Sequence, residues 1–219
     1  MNEITTVGLD LAKNVFQLHG VDRHGHQRLA RQVRRPQLMN AVAQLPQCVV
    51  AMEACAGAHY WARRIEALGH TAKIISPQFV KPYVKGNKTD RNDASAICEA
   101  ASRPDMRFVP IKSIDQQQIL VFHRVRQLLV RQRTQTVNQV RGVLSEFGVI
   151  IPIGLASVRR LLPGILEDAE NGVPALIRPV IAEQYEALRV LDERILKVNK
   201  QLEHIAQQST NSTTSSRSP

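Results

Sequence analysis

The chain has 219 residues, with 29 Lys and Arg against 19 Asp and Glu, giving a formal net charge of +10. Hydrophobic residues make up 43% of it, enough for a packed core and too many for wholesale disorder. No run reaches the roughly 20 apolar residues that cross a bilayer, MNEITTVGLD lacks a signal-peptide pattern, and three Cys without CxxC spacing argue against a disulfide scaffold or zinc ribbon.

In chain order, residues 4–11 (ITTVGLDL) read as a buried strand with Asp10 as its one charge. Residues 15–21 and 28–33 are short strands joined by the turn-rich segment 22–25, which predicts an antiparallel meander. Pro36 suits the first turn of a helix reaching about residue 45. Residues 48–54 (CVVAMEA) form a second buried strand, whose single acid is Glu53. Residues 59–68 have helical spacing with Gly69 as terminator, 71–76 form a third core strand, and a helix runs from about 89 to 102. This alternation predicts an α/β fold over residues 1–110, a mixed sheet with helices on its faces.

Residues 111–149 form a long basic amphipathic helix. Phe122, Val125, Leu129, Val140, Val143 and Phe147 share one face at the 3.6-residue period. Arg124 and Arg131, and likewise Arg126 and Arg133, lie seven apart on its flanks, suited either to phosphate contact or to snorkelling over the apolar stripe. Residues 150–179, rich in Gly and Pro, read as a linker or an irregular subdomain with a short helix near 158–162. Over 180–208 heptads follow. Ile181, Leu188, Ile195 and Leu202 take position a; Leu191, Val198 and Ile205 take d, with Gln184 the polar exception. That pattern predicts a coiled coil, as an intrachain hairpin or a dimer seam; one ordinary amphipathic helix is the alternative. Residues 209–219 hold eight Ser and Thr and are expected to be disordered.

The basic surplus is uneven: +6 over residues 1–110, +4 over 111–149 and zero over 150–219. Such a surface suits a polyanion, most simply nucleic acid; the plainer reading is a basic surface with no ligand. Only nine aromatic residues argue against a general base-stacking single-strand binder. The default expectation is a soluble cytoplasmic protein.

The placement of four acids is more specific. Asp10 and Glu53 sit inside apolar strands, where an unpaired charge is costly to bury. Asp90 and Asp93 are three apart at a helix start and project from one face. If the strands are neighbours and the helix packs at their ends, the four carboxylates converge, and hard divalent cations relieve their repulsion. Mg²⁺ fits that donor set, and a metal pair of this kind serves phosphodiester chemistry. Singly, each acid has a duller role: a loop hydrogen bond for Asp10, a solvated strand end for Glu53, helix N-terminal charges for Asp90 and Asp93. Lys13 and Lys88 flank the acids, placed to meet phosphate or to offset the carboxylates.

The strings GLDLAK (8–13), MEACAGAHYWA (52–62) and NKTDRNDA (87–94) resemble the N-terminal domain of the DEDD transposases of bacterial insertion sequences, the IS110 type. The resemblance continues through the long helix and LPGILEDAENGVP (162–174) to about residue 208. It implies an RNase H-like domain, similar to Holliday-junction resolvases, that cuts or exchanges DNA strands with Mg²⁺. Asp10, Glu53, Asp90 and Asp93 then take the places of its acidic tetrad. It also implies oligomers formed through coiled coils and a structured guide RNA that selects DNA. Members of the family continue into a second domain with a catalytic serine. This chain ends in STNSTTSSRSP, so the expectation is a Mg²⁺-dependent recombinase domain incomplete for full strand exchange. The alternative is a catalytically silent, oligomerising nucleic-acid-binding module. An actin-like phosphotransferase is disfavoured, because no glycine follows Asp10 before Gly20. His19, His24 and His26 cluster near a turn without a partnered nucleophile.

Overall fold

The computed structural model describes residues 3–84 and 90–215, without the side chains of 90–91 and 209–215. The chain divides into two compact units, Met1–Ser113 and Ile114–Pro219.

In the first unit, β1 (Ile4–Asp10), β2 (Val15–Asp22) and β3 (Gln27–Arg34) form the expected antiparallel meander. Strand β4 (Val49–Glu53) then pairs parallel with β1, and β5 (Thr71–Ile75) parallel with β4. The short β6 (Phe108–Val109) closes the sheet antiparallel to β5. The order β3-β2-β1-β4-β5-β6 makes this the predicted RNase H-like mixed sheet.

Strand alternation decides what each face carries. Val7, Leu9, Phe16, Leu18, Val50, Met52 and Ile74 point to one side, where α1 (Leu38–Ala43) and α2 (Ala58–Glu66) cover them. Gly8, Ala51 and Ile75 belong to the other side, beneath α4 (Asp90–Ala101), whose Ala96, Ile97 and Ala100 are buried there. Gly8 is a glycine for a steric reason. A Cβ on it would lie 2.1 Å from the Ala94 carbonyl oxygen and 2.6 Å from the Cys98 nitrogen. The missing side chain therefore lets α4 lie directly on β1. Strand β3 (QRLARQVR) is mostly exposed, and its charged edge discourages pairing with another sheet.

The helical unit corrects three expectations. α5 (Ile114–Glu146) buries Leu129, Val137, Val140 and Leu144, whereas Val125, assigned to its buried face, is 40% exposed. The supposed linker contains α6 (Leu155–Glu167), a 13-residue helix with Pro163 inside it. Arg178 donates to the Ile165 and Leu166 carbonyls at its end, using groups the helix leaves unpaired. α7 (Arg178–Ser215) runs seven residues past the expected end at 208, and 216–219 lie outside the described residues.

Helices α5 and α7 run antiparallel, since Arg126 meets Asn199 while the later Arg133 meets the earlier Asp192. Leu129 packs with Ile195 and Val198; Val137, Val140 and Leu144 share a cluster with Ile181, Leu188 and the α6 residues Val158 and Leu162. Of the heptad residues of α7, Ile181, Leu188, Ile195 and Val198 are thus buried within the helical unit of the same chain. Among the described residues no helix is long and apolar enough to cross a membrane.

Candidate active site

Strand register brings the first two acids together. β1 and β4 pair Gly8 with Ala51 and Leu9 with Met52, so Asp10 and Glu53 stand one step further along, side by side on neighbouring strands about 4.8 Å apart. By alternation, both have the parity of Gly8 and Ala51 and therefore project toward the α4 side. There α4 supplies Asp93, in its first turn. Asp10, Glu53 and Asp93 line one cavity of about 600 Å³. The segment after β5 forms its remaining wall: α3 (Pro77–Val80) and the turn beyond it contribute Pro77, Gln78, Val80, Lys81 and Val84.

The structure thus joins three of the four predicted acids. Asp90 is the first residue of α4, but its side chain, and Lys88 entirely, lie outside the described residues. Among the described residues no three His, Cys, Asp or Glu side chains form a ready metal-holding group. The donor chemistry nevertheless fits a hard divalent cation: three carboxylates, all oxygen donors, open on one side to a cavity large enough for phosphate and water.

Other predicted residues fall elsewhere. Lys13 is exposed on the 11–14 turn, and its carbonyl accepts a hydrogen bond from Arg35. Arg126 donates to Asn199 at 2.7 Å, and Arg133 pairs with Asp192 at 2.9 Å; the same carboxylate also takes Arg159. These two arginines join α5 to α7, whereas Arg124 and Arg131 are exposed. Lys81 and Gln78 were not anticipated from sequence. Their signal lay in Pro77 and Pro82, which start helical turns in PQFVKPYV and so fix this segment against the acids.

The thiols of the first unit are not activated. Burial pushes Cys48 and Cys98 up to about 11. Partial burial and the charges of Glu53 and Asp10 raise Cys55 as well.

An RNase H-like sheet that gathers carboxylates at the carboxyl ends of two parallel strands defines the class of the first unit. A family model of the IS110 DEDD type, described as "Transposase", matches residues 7–149. The chain belongs to this transposase family. It is 51% identical over 201 residues to a "Probable family 20 transposase" of Pseudomonas aeruginosa, covering 91% of this chain and 60% of that protein. It is 43% identical over 211 residues to the "Transposase for insertion sequence element IS1328" of Yersinia enterocolitica, covering 96% of this chain and 62% of that one. It is 42% identical over 206 residues to the "Transposase for insertion sequence element IS1111A" of Coxiella burnetii, covering 94% and 57%. The chain therefore spans about three-fifths of the length of these relatives. Among solved structures, "T. thermophilus RuvC in complex with Holliday junction substrate" is similar, with 13% identity and a TM-score of 0.38, over 49% of this chain and 100% of that one.

Proposed function

We propose that the first unit is the phosphodiester-cutting part of a DNA transposase, with Asp10, Glu53, Asp90 and Asp93 holding divalent cations, of which Mg²⁺ fits best. The observation that carries this reading is the convergence of Asp10, Glu53 and Asp93 on one cavity from two parallel strands and a helix. When bound, the cation supplies Lewis acidity at a phosphodiester oxygen and lowers the pKa of an attacking hydroxyl or water. The chain's own residues do the positioning. The paired strand ends fix Asp10 relative to Glu53, the contact of α4 on Gly8 fixes Asp93, and Lys81 offers its ammonium to a phosphate entering the cavity.

DNA is the substrate on this reading, with Arg124 and Arg131 on α5, Lys13 on the 11–14 turn, and Lys88 contacting its backbone. Arg126 and Arg133 are left chiefly to orient α7. A structured guide RNA and self-association through the helical unit belong to the same proposal. The test is cleavage of a branched DNA in Mg²⁺ compared with EDTA, by the wild type and by Asp10→Ala and Asp93→Ala. Cleavage by the wild type alone, and only with metal, is the expected result. Equal cleavage by all three proteins refutes the acidic site; binding by all three with no cleavage supports a silent binding module instead.

A further inference from the structure

The turns that follow two of the acids carry a second group of side chains, which the acid chemistry does not use. After Asp10 the chain turns through 11–14 into β2. Arg35 is pinned to that turn: its backbone N–H donates to the Asn14 carbonyl at 2.8 Å and its Nη1 to the Lys13 carbonyl at 3.3 Å. After Glu53 the chain opens α2 through Gly57, whose φ of +92° favours glycine, and the first turn of the helix presents Tyr60 and Trp61. Trp61 is buried, with its ring edge-on to Phe16 at 5.4 Å and to Tyr60 at 4.9 Å.

Two guanidinium groups lie on these rings. That of Arg35 is 5.1 Å from the Trp61 centroid and 5.9 Å from that of Phe16. That of Arg64 is 5.7 Å from Tyr60 and 5.9 Å from Trp61, and its Nη1 donates to the Tyr60 hydroxyl at 3.0 Å. The result is a ladder, Arg35–Trp61–Tyr60–Arg64, anchored by one buried indole. Among the described residues neither arginine has a carboxylate partner. Both are exposed, and Tyr60 is 43% exposed. Cation–π contacts at exposed sites are weak, so this geometry does little for stability by itself. It does hold two planar forks and one aromatic face in fixed positions, the combination that grips a phosphate backbone and an unstacked base.

We propose that Arg35, Arg64 and Tyr60 form a subsite for a single DNA strand at the sheet end that carries Asp10 and Glu53. The guanidinium groups take backbone phosphates, and the Tyr60 ring supports one unstacked base. The scarcity of aromatics that disfavours a general single-strand binder does not weigh against one ring holding one nucleotide. The choice of DNA as the strand rests on the phosphodiester-cutting reading above.

The experiment is fluorescence anisotropy of the whole chain with a labelled 12-nucleotide single-stranded DNA and an RNA of the same sequence, in EDTA over a range of NaCl concentrations. Each neutralised phosphate adds about 0.7 to the slope of log K against log salt on single strands. Arg64→Gln lowers the slope by about 0.7, and Arg35→Gln/Arg64→Gln by about 1.4. Tyr60→Ala weakens DNA binding by about 5- to 100-fold with the slope unchanged, while Tyr60→Phe keeps wild-type affinity. Arg35 also bonds the 11–14 turn, so thermal melts accompany each variant, and Arg64→Gln, which leaves that turn untouched, keeps the test independent of folding. Wild-type slope and affinity in folded Arg64→Gln and Tyr60→Ala overturn the subsite. So does a loss confined to RNA. Because binding is read in EDTA, failure of the acidic-site reading in the cleavage assay leaves this result standing on its own.

Discussion

Gly8→Ala tests the contact that places one acid against another. The added Cβ falls 2.1 Å from the Ala94 oxygen, 2.6 Å from the Cys98 nitrogen and 2.9 Å from the Cys98 Cβ. Two of these are backbone atoms of α4, so no side-chain rotation relieves them. Restoring ordinary van der Waals separation moves α4 outward by about 1 Å. Overpacking of this kind costs about 1–3 kcal/mol, and contact with backbone atoms puts Gly8→Ala toward the upper end. At about 1–3 kcal/mol per molar of urea, the unfolding midpoint of the first unit drops by roughly 1 M. The same displacement carries Asp93 away from Asp10 and Glu53, and a misplacement of about 1 Å is worth about 100-fold in rate. The assay pairs urea unfolding with Mg²⁺-dependent cleavage of branched DNA. A Gly8→Ala protein with wild-type midpoint and wild-type cleavage would mean that α4 does not rest on β1, and the account of the site would fall with it.

The remaining expectations touch other parts of the chain. Gly142→Ala is the opposite case, because nothing lies within 4 Å of the added Cβ near the C-terminal end of α5; it should stabilise the helical unit by about 0.5–1 kcal/mol, and a lower melting temperature would refute this. At pH 8 iodoacetamide should label Cys55 in the native chain, more slowly than a free thiol, while buried Cys48 and Cys98, pushed up to about 11, react only after unfolding; intact-mass analysis reads the number of adducts. Burial raises Asp22, but the Arg28 guanidinium and the His24 and His26 backbone N–H groups outweigh it and hold the carboxyl well below the usual carboxylate range. The stabilisation this gives is present above the unfolded carboxylate pKa and is lost as pH falls through the folded one. Asp22→Asn should therefore melt lower than wild type at pH 7, with the gap closing toward pH 2; a gap constant with pH would sink the assignment. Lys81→Ala should slow cleavage about 10- to 100-fold, the worth of a charged hydrogen bond, without shifting the melting temperature, and an unchanged rate would remove Lys81 from the site.

Much of the first unit was legible because its signals are local. Alternation in VFQLHGV, the apolar run of CVVAMEA and the isolated acids Asp10 and Glu53 fixed the strands and pointed to their ends. That these strands are neighbours is a tertiary fact, set by the crossover from β3 through α1, and no local pattern reports it. Lys81 escaped notice because its segment is too short to show a period. Arg35, Tyr60 and Arg64 did so because each looks like an ordinary surface residue until Trp61 is seen beneath them. On α5 the 3.6-residue count misassigned Val125, because α7 and α6, not periodicity, decide which flank is covered. Two further helical boundaries shifted for a related reason. Pro163 reads as a breaker, yet neighbouring packing on Val158 and Leu162 and the Arg178 contacts hold a helix around it.

The strand order also sets when the site comes into being during synthesis. The meander β1-β2-β3 closes through short turns and is available once about 35 residues have emerged, with Asp10 at its open end. Glu53 joins only when β4 returns to β1, and Asp93 only when α4 settles on Gly8, the second closure (Gly8 to Ala94) spanning twice as much chain as the first (Gly8 to Ala51). Because non-local pairing is slower than local pairing, the carboxylates gather last. A ribosome-bound fragment short of α4 thus holds a folded meander and a basic surface while the three carboxylates are still apart.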